Sequence, residues 1–205
     1  HWGRYVDPYV SKEKWRPCVC SRHFYEFDGA DPHAEFAAVP QGEYHLPGAL
    51  FLRGARNVSI TDCRVEHVGF HGLDMQEGCM ANRITRTVFA DLGAGGVKIN
   101  GSCEGYDLRT RASGNIVTDN VICSTGWVFP SACGIIILFA DRTVLAHNDI
   151  HDLCYSGISC GWVWGHGPHV TRENTIHKNR IYDIGRRGAL SDMGGIYLLG
   201  PQPGT

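Results

Sequence analysis

One recurrence constrains this chain more than any other feature. Five times a glycine is followed at once by a short run of alternating residues, in HGLDMQ, GGVKIN, CGIIIL, SGISCG and GGIYLL. The glycines are Gly72, Gly96, Gly134, Gly157 and Gly195, so successive ones stand 24, 38, 23 and 38 residues apart. Periods of this size mark stacked repeats, in which no unit can bury its apolar face alone. Two further sets of stretches keep the same order. CRVEHVG, TVFADLG, NVICSTG, NDIHDLC and NRIYDIG lie upstream of the glycine runs. Further upstream lie NVSITD, NRITRT, NIVTDN, RTVLAHN and NTIHKN.

Three short strands per repeat, divided by turns, predict an all-β fold of the parallel β-helix kind, stacked coil on coil around one core. The shorter spacings suit one coil, and the longer ones a coil with an inserted loop. A propeller blade needs about four strands in ~40–45 residues, more than the spacings of 24 and 23 allow. No 3.6-residue apolar stripe of useful length supports a helical bundle. The high glycine content, 26 of 205 residues, agrees with many tight turns. Coils are expected over residues 51–205, and an irregular aromatic and basic segment over 1–50 that could belong to another domain. The last residues, GPQPGT, read as a turn into a further coil, so the β-helix is expected to be a portion of a larger one.

Alternation assigns faces. Leu73/Met75, Val97/Ile99, Ile135/Ile137, Ile158/Cys160 and Ile196/Leu198 should point inward. Asp74/Gln76, Lys98/Asn100, Ile136/Leu138, Ser159/Gly161 and Tyr197/Leu199 should point outward, as a polar strip interrupted by apolar residues. Such a strip, walled by inserted loops, suits an extended polymer. Asp74, Lys98, Asn100 and Tyr197 on the strip are candidate substrate contacts, as are Tyr155, Trp162, Trp164 and His166 in YSGISCGWVWGHGPH beside it. For the two tryptophans the plainer reading is that they pack their loop down.

Recurring residues usually serve the coil. Asp91, Asp152 and Asp183 share one place in FADLG, IHDLC and IYDIG, and Asn120, Asn148 and Asn179 precede the apolar pairs. Both sets suit hydrogen bonding to turn backbone. Asp192 does not recur; it stands in the insertion RRGALSDMG, just before Gly194 and Gly195, either capping a turn or facing the strip's rim. Net charge is −2, which argues for neither nucleic acid nor an anionic membrane as partner. No apolar run reaches the ~20 residues of a membrane span. Among nine cysteines the one close pair, Cys18 and Cys20, has no matching half of a zinc site, and His147 and His151 show no ligand triad, so no metal or cofactor is expected. There is no G-x-S-x-G, phosphate-binding loop or dinucleotide fingerprint.

The stretches HNDIHDLCYSGISCGWVWGHGP and NRIYDIGRRGALSDMGGIYLLGPQPGT and, less distinctively, RPCVCSRHFYEF resemble the right-handed parallel β-helix carbohydrate enzymes, most closely glycoside hydrolase family 141. The resemblance covers about residues 50–205. It implies hydrolysis of glycosidic bonds in plant-type polysaccharide, fucosidase and xylanase activities being known in that family, and an extracellular or periplasmic setting. It also implies two catalytic carboxylates, placed on Asp192 and Asp152. Glycoside cleavage uses one carboxyl kept protonated and one ionised, ~5–5.5 Å apart for retention and ~6.5–9.5 Å for inversion. Two alternatives share the fold: a polysaccharide lyase or epimerase, with Lys98 as candidate base but no acidic cluster for Ca²⁺, and a non-catalytic glycan-binding solenoid.

Overall fold

The computed structural model describes residues 42–101, 109–163, 169–188 and 190–205. Cys18, Cys20, Trp164 and His166 lie outside the described residues, as does the RPCVCSRHFYEF stretch.

Short strands wind through successive coils. The first coil is β1 (Gly48–Leu52), β2 (Ser59–Thr61) and β3 (Arg64–Val68); the second is β4 (His71–Met75), β5 (Arg83–Thr85) and β6 (Val88–Leu92). The third holds β7 (Val97–Asn100), β8 (Ala112–Ser113), β9 (Ile116–Thr118) and β10 (Val121–Thr125), and the fourth β11 (Ile135–Leu138), β12 (Ala140–Asp141), β13 (Val144–Ala146) and β14 (Asp149–Leu153). The fifth is β15 (Ile158–Gly161), β16 (Thr175–His177) and β17 (Arg180–Tyr182); β18 (Ile196–Leu198) opens a sixth. Every strand pairs in parallel with its counterpart one coil away. This gives a six-stranded sheet β1-β4-β7-β11-β15-β18, two five-stranded sheets β2-β5-β9-β13-β16 and β3-β6-β10-β14-β17, and a two-stranded sheet β8-β12. The architecture is the parallel β-helix that the three-strand repeat predicts.

The inward residues are those that alternation assigns. Leu73, Met75, Val97, Ile99, Ile135, Ile137, Ile158 and Cys160 are fully buried in one core with Phe89, Ile122, Leu145 and Ile150 from the other sheets. Ile196 and Leu198 continue the same column, in register with Ile158 and Cys160, yet are 49% and 53% exposed, because no described coil stacks on them.

The recurring glycine has a steric cause. A Cβ at Gly72 would sit 2.6 Å from Phe89 Cδ1, at Gly96 2.7 Å from Ile122 Cγ2, and at Gly157 2.6 Å from Ile181 Cγ2. At Gly134 it would meet the Gly157 carbonyl oxygen at 2.8 Å. At this corner the chain passes so close to the core residues of the preceding sheet that a methyl group does not fit.

The other corners turn on single left-handed residues. Asp62, Arg86, Asp119, His147 and Lys178 have φ between 48° and 60°. So do His67, Asp91, Ser124, Asp152 and Asp183, which share one register position at the ends of the β3-to-β17 strands. The recurring aspartates are therefore corner residues, of a type that tolerates this conformation. Beside the corners run asparagine ladders. Asn120 donates its backbone N–H and its amide to Asn148 Oδ1 at 3.1 and 2.9 Å, and Asn148 does the same to Asn179 at 3.0 and 2.9 Å. Their amides also reach the carbonyls of Ile84, Val117 and Leu145. Asn82 and Asn115 form a second ladder one corner earlier, with Asn174 further along the same column. Each buried amide thus satisfies corner backbone that would otherwise lack partners.

GPQPGT continues the winding. Glu173 N–H donates to the Pro203 carbonyl at 2.9 Å, and Asn174 N–H to Thr205 Oγ1 at 3.1 Å. Gln202 folds back onto β15, donating to the Cys160 carbonyl at 3.0 Å.

Candidate functional site

The outward face of the six-stranded sheet carries one register row: Phe51, Asp74, Lys98, Ile136, Ser159 and Tyr197. These residues point away from the helix core, as alternation requires, but most of the row is not open to solvent. Asp74 and Lys98 are each 1% exposed, and Ile136 and Ser159 are buried with them. The expectation of an exposed polar strip is therefore corrected here. The segment 42–47 and residues 162–163 and 170 lie across the sheet and pack Tyr44, Trp162, Val163 and Val170 against Ile136 and Leu138. The apolar pair Ile136/Leu138 that seemed to interrupt a polar strip is the seat of this cover.

Asp74 and Lys98 form an ion pair of 3.1 Å. Lys98 Nζ also donates to the Tyr44 carbonyl at 3.0 Å and to that of Leu46, which ties the covering segment to the sheet. Asp74 Oδ1 accepts from Gln76 Nε2 at 2.6 Å, and half-buried Asn100 donates to Gln76 Oε1 at 3.3 Å. Burial raises the Asp74 carboxyl above its ordinary range, and Lys98 and Gln76 offset only part of that. His71 beside them is fully buried; desolvation first, then the Lys98 charge, hold its imidazole well below its usual pKa. Asp74 and Lys98 thus form a buried ion pair beneath the covering segment. Trp162 is 2% exposed and its Nε1–H donates to Ser159 Oγ at 3.0 Å, so it packs its loop down.

A more accessible cluster gathers at the turn from β14 to β15. Asp152 begins it and Tyr155 lies inside it. The connection from β17 to β18, which carries the non-recurring RRGALSDMG, folds onto this turn. Arg186 N–H donates to the Leu153 carbonyl at 3.0 Å, and Gly194 N–H to Ser156 Oγ at 3.2 Å. Tyr155 is buried, and its hydroxyl donates to the Asp192 carbonyl at 3.4 Å. Asp192 itself is exposed, in the left-handed region at φ 63°. Tyr197 follows it, half-buried at the end of the outward row.

Asp152 is engaged at both oxygens. Ser124 Oγ donates to Oδ2 at 2.6 Å, and the Arg186 guanidinium contacts Oδ1. Burial alone would raise this carboxyl, but the Ser124 hydroxyl and the Arg186 charge outweigh it and hold the group below the ordinary carboxylate range. Arg187, next in the chain, places its guanidinium 4.4 Å from the centre of the Trp127 ring and donates to the Trp127 carbonyl at 3.2 Å. Sequence reasoning passed over Ser124, Trp127, Arg186 and Arg187. Ser124 could have been found, because it takes the aspartate's place in the aligned NVICSTG stretch.

Among the described residues no group of three His, Cys, Asp or Glu side chains is placed to hold a metal ion, and no helix is long and apolar enough to cross a membrane.

Comparisons with known proteins give the following. The family model described as "Right handed beta helix region" matches residues 48–198. A solved structure titled "Glycoside hydrolase" superposes with a TM-score of 0.72 at 24% sequence identity, over 82% of this chain and 32% of that one. The chain thus spans about a third of that protein's length, and the likeness establishes the shared fold. No curated protein matches the sequence.

Proposed function

Since the chain belongs to the right-handed β-helix family, we propose that it contributes to a carbohydrate-active enzyme that hydrolyses glycosidic bonds in plant-type polysaccharide, in the manner of glycoside hydrolase family 141. Asp152 and Asp192 are its two carboxylates. One observation carries this reading. The inserted connection from β17 to β18 is held against the β14–β15 turn at both ends, by Arg186 next to Asp152 and by Asp192 on Tyr155. Tyr155 stands three residues after Asp152 and bonds the Asp192 backbone carbonyl, so the insertion seats residue 192 against the turn that carries Asp152, which supports pairing the two. Their environments differ: Asp152 is half-buried and engaged at both oxygens, whereas Asp192 is exposed on a loop.

The lyase or epimerase reading is weaker, because its candidate base Lys98 is buried in an ion pair and bonded to two carbonyls. Among the earlier candidate contacts, Asn100, Tyr155 and Tyr197 border the turn or the row beside it. The test is reducing-sugar release from plant-cell-wall polysaccharides by the full protein and by Asp152→Asn and Asp192→Asn. Each substitution should lower activity at least about 1,000-fold, the scale on which losing a catalytic group is felt, with the far-ultraviolet circular dichroism of the coils unchanged. Full activity in either variant removes that residue from the pair. Glycan binding without sugar release by the unsubstituted protein would favour a non-catalytic solenoid.

A further inference from the structure

We infer that Arg186 is a positioning residue which, together with Ser124, fixes the Asp152 carboxylate in place and keeps it ionised. The inference rests on the assignment of Asp152 and Asp192 proposed above.

The geometry is that of a clamp. Asp152 presents one oxygen to Ser124 Oγ, from the neighbouring coil at the same register position, and the other to Arg186 Nη1, from the inserted loop. Pairing within the column is a recurring device, since His67 Nδ1 lies 2.6 Å from Asp91 Oδ2. The arginine is an addition to it. Arg186 does not reach Asp152 from a distance: its own backbone N–H is bonded to the Leu153 carbonyl, so the guanidinium starts one residue from its target. Arg187 holds the same loop independently through Trp127. The Asp152 side chain is 17% exposed and that of Arg186 57%, so the carboxylate is sheltered while one side of the clamp opens to solvent.

Other titratable groups face this carboxylate. His151 precedes it on β14, Cys123 lies on β10, Cys154 follows in the turn, and Asp183 on the adjoining coil faces Arg186. The two thiols are pushed up, chiefly by burial, and stay neutral. The Ser124 hydroxyl and the permanent positive charge of Arg186 together therefore hold Asp152 ionised against the effect of burial.

The chemistry follows. In glycoside cleavage a carboxylic acid gives its proton to the glycosidic oxygen as the bond from that oxygen to the anomeric carbon breaks. Asp152, unprotonated, either takes the proton of the attacking water or bonds to the anomeric carbon until water replaces it. A protonated Asp152 can do neither, so activity falls on the acid side as Asp152 titrates.

Arg186→Met, Arg186→Lys and Arg187→Met, prepared in the full protein, test the inference. In Arg186→Met the acid limb of kcat/KM should move up by about one pH unit, the low end of what an adjacent cation does to a carboxylate. Arg186→Lys should restore most of that shift, and Arg187→Met, which loosens the same loop elsewhere, should leave the limb in place. An acid limb in Arg186→Met that coincides with the unsubstituted protein overturns the inference. So does an equal shift in Arg187→Met, which would make loop placement the cause. Activity retained in Asp152→Asn is a separate failure, of the catalytic assignment and not of the clamp.

Discussion

At Lys98 one ammonium group pairs with Asp74 and donates to two carbonyls of the segment that covers it. Neither side chain can be removed alone without leaving a buried charge. Lys98→Met should therefore destabilise the fold by about 3–5 kcal/mol, the usual cost of breaking a buried pair from one side, whereas the double change Lys98→Met with Asp74→Leu should recover most of that loss. Chemical denaturation of both variants checks this; a double variant no more stable than the single one would mean that the pair acts chiefly by anchoring the covering segment. That Lys98 and Asp74 point away from the core was legible from alternation. Their burial was not, because it comes from residues 42–47, more than fifty positions before Lys98 in the chain, with no periodic link to the coils.

Strands of two to five residues cannot stand alone, and what holds each to the next is a set of columns running across the coils: glycines, left-handed corner residues and asparagines. The glycine column gives a discriminating prediction. Gly134→Ala places a methyl group 2.8 Å from a carbonyl oxygen and 2.9 Å from Ile150 Cγ2, while at Gly195 the nearest atom is 3.9 Å away. Overpacking of this kind costs about 1–3 kcal/mol, so Gly134→Ala should lower stability by that amount and Gly195→Ala should be nearly neutral. Thermal melts of the two variants read the difference; equal losses would show that close approach is not what selects the glycine. These columns were the most legible part of the protein, since a residue that serves every coil must recur in every coil. By the same logic the site was faint. Arg186, Arg187 and Asp192 lie in an insertion that serves one coil, and insertions have no period to read.

A solenoid is stabilised by nearest-neighbour stacking, so coils with a neighbour on each side should open last. β7, β10, β11 and β14 each pair on both edges, whereas β1, β2 and β3 at one end and β16, β17 and β18 at the other pair on one. Leu50, Ile196 and Leu198 at these ends remain partly exposed. In a polypeptide of these 205 residues by itself, hydrogen exchange should be slowest in the middle strands and grade outward. Uniform protection along the helix would contradict this picture and point to a single cooperative unit.

By itself the sequence determined the winding. Glycine spacing, alternation and recurring polar corners specify three strands per coil, which face each presents, and that the coils stack, because each is a local constraint repeated at a fixed interval. Only the tertiary structure decided what lies on the outside. Whether an outward carboxylate is a solvated ligand contact or half of a buried ion pair depends on which distant segment covers it, as at Asp74. Which partners a corner aspartate meets depends on which inserted loop lands beside it, as Arg186 lands on Asp152. Both are matters of long-range approach, set by surface burial and charge pairing between segments whose separation follows no repeat.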